Sequence, residues 1–367
     1  MVIYGTRPEA IKLAPVIRVL RTYDDLSVEV VSTGQHTEML QPIIERFEID
    51  PDYVLPRLPE KRSLNLLLSQ TLIGLDEVFE ESKPDLVLVQ GDTTTALAAA
   101  LAGFQDGAKV VHLEAGLRTG DIRAPFPEEA NRKLISQIAD LHCAPSDEAR
   151  RNLLQEGTAQ HSVVVTGNTV IDALTEAVSW NVSFHDSRLE ALSASSRRVV
   201  LVTTHRRENL DKLQNIASAL RTLALTFFDE VFVLPVHANP NVRDVVVPML
   251  SDLPNLILSE PLPYDQFTKV LKRSHLVITD SGGLQEEAPA LGIPVLVMRE
   301  TTERREVRDA GAIRLIGTDP HKIVEETTRV LTDEEEYRKM AVVSNPYGVG
   351  GASAQVAIAM RRLLRLH

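Results

Sequence analysis

The chain has 367 residues, 44% hydrophobic and 25% charged, which is the composition of an ordinary globular protein with room for two domains. Its formal net charge of −12 argues against a general nucleic-acid binder, because phosphate backbones require basic surfaces. No apolar run approaches the roughly 18 residues of a membrane span, and the N-terminus lacks a signal-peptide layout. The single cysteine, Cys143, excludes an intrachain disulfide and is typical of the cytoplasm.

Short apolar runs alternate with longer amphipathic segments along the first half of the chain. We predict strands at Met1–Tyr4, Ser27–Ser32, Leu86–Val89, Lys109–Leu113 and Ser162–Val165. We predict helices at Ala10–Arg21, Thr37–Phe47, Leu64–Glu81 and Thr94–Phe104. Strands rich in Val, Ile and Leu that are separated by helices indicate a parallel sheet covered on both faces.

The same alternation restarts in the second half, after a polar, serine-rich stretch at residues 181–196. Strands are predicted at Arg198–Thr203, Glu230–Pro235, Leu256–Leu258, Leu276–Thr279 and Val295–Met298. The expected fold class is therefore α/β, with two Rossmann-like doubly wound domains, residues 1–168 and 169–349, facing a cleft. Such sheets bind ligands at the carboxyl ends of their strands, so the residues after each strand are the candidates for a site.

The first strand leads into a turn at Gly5 and a helix start at Pro8, flanked by Arg7 and Lys12. The spacing is not G-x-G-x-x-G, which argues against a dinucleotide site. Taken alone, this segment is better explained as a helix cap with solvated charges. Asp92, which follows a later strand, either caps the next helix or serves in catalysis, and the sequence leaves both open.

Glu114 ends the apolar run VVHL, where a carboxylate is a poor cap and a poor core residue, and this favours a functional role. Glu128 and Glu129 lie at a proline-bounded helix start, where glutamates usually complement the helix dipole. In one sheet, Asp92, Glu114 and Glu128 could converge at one rim. Grouped carboxylates differ in proton affinity, which allows one to donate a proton while another accepts.

In the second half, Asp280–Gly283 follow a strand and precede a helix. Ser281 can cap this helix, the glycines let an anion approach the backbone, and the helix N–H groups would then hold phosphate. Glu286 or Glu287 could reach ribose hydroxyls. A plain glycine turn is the alternative, and the spacing favours the phosphate site.

His205 ends a strand within LVTTHRREN, a locally basic segment that suits a leaving diphosphate. His237 also follows a strand, where a lone histidine is more often structural. Among Arg299, Arg304 and Arg305, at least one is expected to face the cleft. No histidine or cysteine cluster has metal-ligand spacing, and the sequence has no nucleophile elbow or Walker loop, so we expect no metal or cofactor.

The motifs occur together, and in the same order, in one family. They are GTRPEAIK, GDTTT, LEAGLRTGD, PFPEEANR, TGNTVIDAL, HRREN, PVHANPNVR, TDSGGLQEEAPALGIPVLVMR and NPYGVG. The chain closely resembles the non-hydrolysing UDP-N-acetylglucosamine (UDP-GlcNAc) 2-epimerases of bacteria over nearly its whole length. The resemblance implies a two-domain fold of the glycosyltransferase B type and a homodimer. It also implies that a last helix, residues 350–367, packs back on the first domain.

The family reaction inverts C2 of UDP-GlcNAc and gives UDP-N-acetylmannosamine (UDP-ManNAc) for surface polysaccharides. The resemblance implies that UDP leaves C1 as the C2 proton is removed, and that UDP re-adds to a bound 2-acetamidoglucal. Matched motif by motif, the catalytic residues fall on Asp92, Glu114, Glu128 and His205. The implied substrate-binding residues are Arg7, Lys12, Phe267, Ser281, Gly282, Gly283, Glu287 and Arg304.

Many bacterial members also bind a second UDP-GlcNAc as an activator. The positions associated with that allosteric site match Gln35, Arg62, Arg206 and His237. This chain departs from the family pattern at Arg305, where a proline is usual. Three other functions stay open: a hydrolysing relative that releases UDP and free ManNAc, a glycosyltransferase of similar fold, and a non-catalytic sugar-nucleotide sensor.

Overall fold

The computed structural model describes residues 1–34, 37–57, 63–302, 304–343 and 345–366. The chain divides into two compact units. The first unit comprises residues 1–173 and 347–367, and the second comprises residues 174–346.

Strands and helices alternate through both units. The strands are β1 (Val2–Tyr4), β2 (Val30–Ser32), β3 (Tyr53–Val54), β4 (Leu86–Gln90), β5 (Lys109–Leu113), β6 (Leu141–Ala144), β7 (Val163–Val165), β8 (Val199–Thr203), β9 (Val231–Pro235), β10 (Leu256–Ser259), β11 (Ser274–Thr279), β12 (Val295–Val297) and β13 (Ile313–Leu315). The helices are α1 (Arg7–Leu20), α2 (Thr37–Phe47), α3 (Leu64–Ser82), α4 (Thr94–Asp106), α5 (Glu128–Ile138), α6 (Asp147–Gln155), α7 (Thr169–Ala177), α8 (Ser187–Ser193), α9 (Leu213–Thr226), α10 (Pro240–Leu250), α11 (Tyr264–Arg273), α12 (Leu284–Ala290), α13 (Arg305–Ala310), α14 (Pro320–Thr332), α15 (Glu334–Ala341) and α16 (Ala352–Leu363). Short 3-10 helices lie at Gln160–Ser162 and Arg207–Lys212.

The sheet of the first unit is parallel, with seven strands in its described residues, in the order β3-β2-β1-β4-β5-β6-β7. Its central strands are buried on both faces because they consist mainly of Val, Ile and Leu. Leu75, Val87 and Ala99 belong to the core between the sheet and the helices α3 and α4. The strand order reverses between β1 and β4, and the loops after these two strands therefore open a crevice at the carboxyl edge.

The helix α16 returns to the first unit and packs against α1. Its Arg361 donates a hydrogen bond to Asp25 at 2.7 Å, and the same guanidinium lies over the ring of Tyr23. The end of the chain is thus held by an ion pair and a cation–π contact as well as by apolar packing.

The sheet of the second unit is also parallel, with six strands in its described residues, in the order β10-β9-β8-β11-β12-β13. Ile216, Leu220, Phe232 and Ile323 are among the buried residues of its core. Here the order reverses between β8 and β11, so each unit has one switch point at the carboxyl edge of its sheet.

The predicted α/β class, with two doubly wound sheets, is confirmed. The sequence patterns did not predict the short strands β3, β6 and β13. Strand β2 is shorter than expected, since only Val30–Ser32 of the predicted Ser27–Ser32 is strand. β3 has only two residues, and β6 carries His142 in its interior, so neither shows the apolar run from which the other strands were identified. The residues before Val30 are polar or partly exposed and are not part of the strand, although the carbonyl of Glu29 accepts a hydrogen bond from the backbone N–H of Val2 at 2.8 Å.

Candidate active site

The crevice of the first unit lies where the loops after β1 and β4 meet, and Arg7, Lys12 and Asp92 follow these two strands. Arg7 is the first residue of α1, and Lys12 lies one turn further along the same helix. The side chain of Lys12 is 15% exposed and donates a hydrogen bond to Glu114, which follows the neighbouring strand β5. The sheet therefore brings three of its strand ends together at one rim.

Glu114 is held in an unusual backbone conformation with its carboxylate largely enclosed. Its φ angle is 62°, a region that residues with a side chain adopt rarely and at a cost. Its side chain is 9% exposed and accepts hydrogen bonds from Lys12 and, at 2.8 Å, from Gln90 Nε2. The ammonium group compensates the burial of the carboxylate, so the charge at the end of an apolar strand has a defined partner.

Asp92 is not the cap of α4, because the neighbouring Thr93 accepts the hydrogen bond from the backbone N–H of Ala96 at 2.9 Å. The carboxylate of Asp92 instead pairs with Arg132 Nη2 at 2.5 Å. Arg132 also donates to the fully buried Glu129 at 3.1 Å. Burial opposes the charge on Arg132, but Asp92 and Glu129 outweigh it and raise the pKa of the guanidinium.

The two glutamates at the start of α5 have different surroundings. Glu129 accepts hydrogen bonds from the backbone N–H groups of Thr119 at 3.2 Å and Gly120 at 3.3 Å, and it thereby fixes the preceding loop. Glu128 has a buried oxygen, Oε2, without a hydrogen-bond partner in the described chain. A buried acceptor without a partner is costly and uncommon in proteins, and it is available to a ligand.

Two buried groups support the turn that carries Asp92. Glu9 accepts hydrogen bonds from the backbone N–H groups of Gly5 at 3.0 Å and Thr6 at 2.7 Å, and from the hydroxyl of Thr93. Burial raises its pKa, and the hydrogen bonds from Thr93 and Thr6 oppose that rise. His112 Nε2 donates to the carbonyl of Gly91 at 2.7 Å, and burial lowers the pKa of this imidazole to about 3.

The switch point of the second unit brings His205, after β8, next to Asp280, after β11. The carboxylate of Asp280 is fully buried, and its Oδ1 lies 3.2 Å from His205 Nδ1. The ring of His205 stacks on that of His237, with centroids 5.8 Å apart and an angle of 18° between the planes. Burial lowers the pKa of His237.

The glycine turn after β11 lies beneath two guanidinium groups. A Cβ atom added at Gly282 would lie 3.2 Å from Arg304 Nη1 and 3.3 Å from Arg206 Nη2. Arg304 also donates to the buried Glu286 at 2.8 Å. Two cations over a glycine turn at a helix N-terminus form a favourable environment for a diphosphate.

The interpretation of Ser281 as the helix cap is wrong. The N-cap of α12 is Gly283, without a side-chain cap, because the turn continues past Ser281 before the helix begins. The backbone N–H of Ser281 donates to Thr279 at 2.9 Å. Glu287 is partly exposed on the first turn of α12, whereas Glu286 is buried and accepts a hydrogen bond from Arg304.

The remaining predicted residues are less closely tied to these groups. Phe267 is partly buried in the first turn of α11, at the carboxyl edge of the sheet. His237 accepts a hydrogen bond from the backbone N–H of Asn239 at 3.1 Å in addition to stacking on His205. Gln35 and Arg62 lie outside the described residues.

The described residues contain no group of three His, Cys, Asp or Glu side chains that could hold a metal ion. Among the described helices, none is long and apolar enough to cross a membrane. The cysteine Cys143 is buried in β6.

Sequence reasoning assigned no role to three residues that hold the predicted groups in place, namely Gln90, Arg132 and Asp280. Each was visible as a polar residue at a strand end or near a helix start. The missing signal was the long-range partner, since Gln90 is 24 residues from Glu114 and Asp280 is 75 residues from His205.

Comparison with known proteins identifies the family. A family model described as UDP-N-acetylglucosamine 2-epimerase matches residues 18–361. The chain is 46% identical to a probable UDP-N-acetylglucosamine 2-epimerase of Ralstonia nicotianae, and the match covers 98% of each chain.

Solved structures agree with this result. A UDP-GlcNAc 2-epimerase of Neisseria meningitidis bound to UDP-GlcNAc is 42% identical with a TM-score of 0.90, and the match covers 99% of each chain. The Methanocaldococcus jannaschii enzyme in complex with UDP-GlcNAc and UDP is 30% identical with a TM-score of 0.81, again over 99% of each chain. The chain belongs to the UDP-N-acetylglucosamine 2-epimerase family.

Proposed function

We propose that the chain is a non-hydrolysing epimerase that interconverts UDP-GlcNAc and UDP-ManNAc without an added cofactor. Membership of the family supports UDP-GlcNAc 2-epimerase activity. The observation that carries the proposal is a set of three carboxylates in different surroundings, two of which follow strands of one sheet while the third begins α5. Glu114 is paired with Lys12, Asp92 is paired with Arg132, and Glu128 keeps a buried oxygen without a partner.

The proposed reaction is an elimination followed by an addition. A base removes the proton from C2 of the hexose, the C–H electrons form the C1=C2 double bond, and the C1–O bond breaks to release UDP. The product of this step is 2-acetamidoglucal. In the reverse sense, a phosphate oxygen of UDP adds to C1 while a proton is delivered to the other face of C2, so atoms and charge balance over the cycle.

Carboxylates in unlike surroundings are suited to these two proton transfers. Asp92 and Glu114 each lie next to a cation, and their carboxylates can accept a proton or stabilise positive charge that develops at C1. Glu128 has an oxygen free to hold or exchange a proton with the substrate. We assign the three side chains to this chemistry as a group.

The proposed diphosphate site lies within the second unit. Arg206 and Arg304 present guanidinium groups at Gly282, and the N-terminus of α12 follows. Charge-assisted hydrogen bonds of this kind stabilise the extra negative charge that UDP acquires when the C1–O bond breaks. Ser281, Gly283 and Glu287 complete the proposed UDP site, with Phe267 beside the uracil.

The proposal includes a second UDP-GlcNAc as an activator, a homodimer, and supply of UDP-ManNAc to surface polysaccharide synthesis. Of the four residues assigned to the activator, Arg206 and His237 are described by the structure. Arg206 lies at Gly282 beside Arg304, and His237 stacks on His205. An activator that binds these residues would therefore contact neighbours of the proposed catalytic histidine and diphosphate site.

A nuclear magnetic resonance time course of UDP-GlcNAc in D2O tests the reaction, with no NAD and no metal added. We expect UDP-ManNAc to form and deuterium to enter C2 of both nucleotide sugars, because the C2 proton is exchanged with solvent in the intermediate. Stoichiometric free UDP with ManNAc would identify a hydrolysing enzyme instead. Binding of UDP-GlcNAc without exchange or product would identify a sensor, and turnover only with an added acceptor would identify a glycosyltransferase.

A further inference from the structure

The carboxylate of Asp280 has the environment of a residue that orients another side chain. It is fully buried at the end of β11, and both of its oxygens accept a hydrogen bond from the backbone N–H of His205, at 3.2 Å for Oδ1 and 3.0 Å for Oδ2. Oδ2 accepts hydrogen bonds from the loop after β8: the Thr204 hydroxyl at 3.1 Å, the backbone N–H groups of His205 and Arg206 at 3.0 Å each, and Asn209 Nδ2 at 3.1 Å. Oδ1 lies 3.2 Å from the ring nitrogen Nδ1 of His205.

We propose that Asp280 is a positioning residue, which fixes the tautomer and the ring orientation of His205. Burial opposes ionisation of Asp280, but the hydrogen bonds from His205 and the backbone outweigh it and hold the pKa of the carboxyl below its usual value. An ionised carboxylate only accepts hydrogen bonds, so His205 must carry a proton on Nδ1. The lone pair of the neutral ring is then on Nε2.

The rest of the ring is held as well. His237 stacks on one face of His205, and burial lowers the pKa of its imidazole, which favours the neutral form. The side chain of His205 remains 41% exposed although Asp280 is buried. The ring is therefore anchored at Nδ1 and on one face while part of its surface is open to a ligand, with Nε2 as the nitrogen left for it.

This arrangement leaves one ring nitrogen of His205, Nε2, to act on a ligand. Nε2 can accept a proton from a ligand, and once protonated it can donate a hydrogen bond to a phosphate oxygen while Asp280 faces the positive ring. Orienting carboxylates act in this way on catalytic histidines of unrelated enzymes, where loss of the carboxylate leaves the wrong tautomer. The catalytic consequence rests on the proposed epimerase function, whereas the tautomer does not.

The first test measures the tautomer directly. The substitution Asp280→Asn can keep an acceptor toward the loop after β8 and place its NH2 group opposite His205 Nδ1, which then has to accept. The tautomer is measured by nuclear magnetic resonance of protein labelled with 15N-histidine, and the His205 signals are identified by their absence in His205→Gln. We expect the Nδ1–H form in the natural chain and the Nε2–H form in Asp280→Asn.

The matched control is Thr204→Val, which removes one donor to Oδ2 with almost no change of shape and leaves Oδ1 and His205 untouched. It perturbs the same loop, so it separates loosening of the loop from loss of the contact to the ring. We expect the Nδ1–H tautomer to persist in this variant.

The second test is a double-mutant cycle on turnover. Because Asp280 acts through the histidine, Asp280→Asn should lower kcat by roughly 100-fold or more in the natural background and cause little further loss in a His205→Gln background. The Kd of UDP should rise much less than kcat falls, because Asp280→Asn leaves the guanidinium groups of Arg206 and Arg304 at Gly282.

Each outcome decides the proposal. An Nε2–H tautomer in the natural chain, an unchanged tautomer in Asp280→Asn, or an equal loss of kcat in both backgrounds would overturn it. If the natural chain has the Nδ1–H tautomer and Asp280→Asn reverses it, but UDP-GlcNAc is not converted, the proposed function fails while the positioning of His205 stands.

Discussion

The switch points of the two units have the same topology but differ in the charge of the side chains that lie there. In each, a parallel sheet reverses its strand order, and one buried carboxylate ties the loops of the two central strands together. Glu9 does so in the first unit through Gly5, Thr6 and Thr93, and Asp280 does so in the second through the loop at His205.

The two buried carboxylates, Glu9 and Asp280, differ in their hydrogen-bond partners. Glu9 accepts hydrogen bonds from backbone N–H and hydroxyl groups of Gly5, Thr6 and Thr93, and burial raises the pKa of that carboxyl. Asp280 also reaches a histidine ring, and its pKa is lowered. The topology therefore provides the location of each proposed site, whereas the side chains at the strand ends set its charge, with carboxylates in the first unit and guanidinium groups in the second.

The largest effect is expected from a change in the acidic side chains of the first unit. Glu114→Gln keeps the shape of the side chain and a hydrogen-bond acceptor for Lys12 but removes the charge. Turnover of UDP-GlcNAc should fall by roughly 10²- to 10⁴-fold, the usual contribution of a positioned acid or base, while UDP binding measured by calorimetry stays nearly unchanged. Glu80→Gln, an exposed glutamate of the same unit, is the control. A rate for Glu114→Gln near that of Glu80→Gln would mean that the role assigned to Glu114 is wrong.

A smaller effect is expected from a change in the basic side chains of the second unit. It should weaken the binding of UDP rather than slow the chemical step. Arg304→Met removes a guanidinium at Gly282, and loss of a charge-assisted hydrogen bond to phosphate should weaken UDP binding by roughly 10- to 100-fold. Arg308→Met is the matched control, since Arg308 lies on α13 and pairs with Asp309. Arg304→Lys, which keeps the charge without the forked geometry, should lose less affinity. Equal UDP affinities in Arg304→Met and Arg308→Met would remove Arg304 from the proposed site.

The smallest effect concerns the stability of the units in acid. The pKa of His112 is lowered from 6.5 to about 3 by burial, so the unfolded chain takes up a proton before the folded chain does. Stability contributed by the neutral ring is present above pH 6.5 and is lost as the pH falls toward 3. Between pH 7 and pH 5 the loss should be roughly 2 kcal/mol for this one group.

Each unit has its own probe for this measurement. The single cysteine, Cys143, is buried in the first unit, and the single tryptophan, Trp180, is in the second. Urea unfolding at the two pH values should shift the midpoint of Cys143 labelling by a thiol reagent that works in acid, and His112→Gln should reduce that shift. His161→Gln, at an exposed position of the first unit, should not. A pH shift of the Cys143 midpoint that is the same in all three chains would exclude His112 as its source.

The sequence by itself determined those structural features that depend on residues close together in the chain. Apolar runs of strand length and the turns that follow them predicted the sheets, because burial on both faces requires such runs. The position of Glu114 after VVHL marked a charge that neither capping nor core packing explains. The same local reasoning could not decide whether Asp92 or Thr93 caps α4, and it misplaced the cap of α12 at Ser281, because cap geometry depends on the course of the turn.

Only the tertiary structure decided which charges meet. Lys12 and Glu114 are 102 residues apart in sequence, and they pair because the sheet order places the ends of β1, β4 and β5 side by side. The same holds for Asp92 with Arg132 and for His205 with Asp280. The energy of an ion pair or a hydrogen bond depends on distances of a few ångströms, and the sequence spacing of two residues in different loops contains no information about that distance until the strand order is fixed.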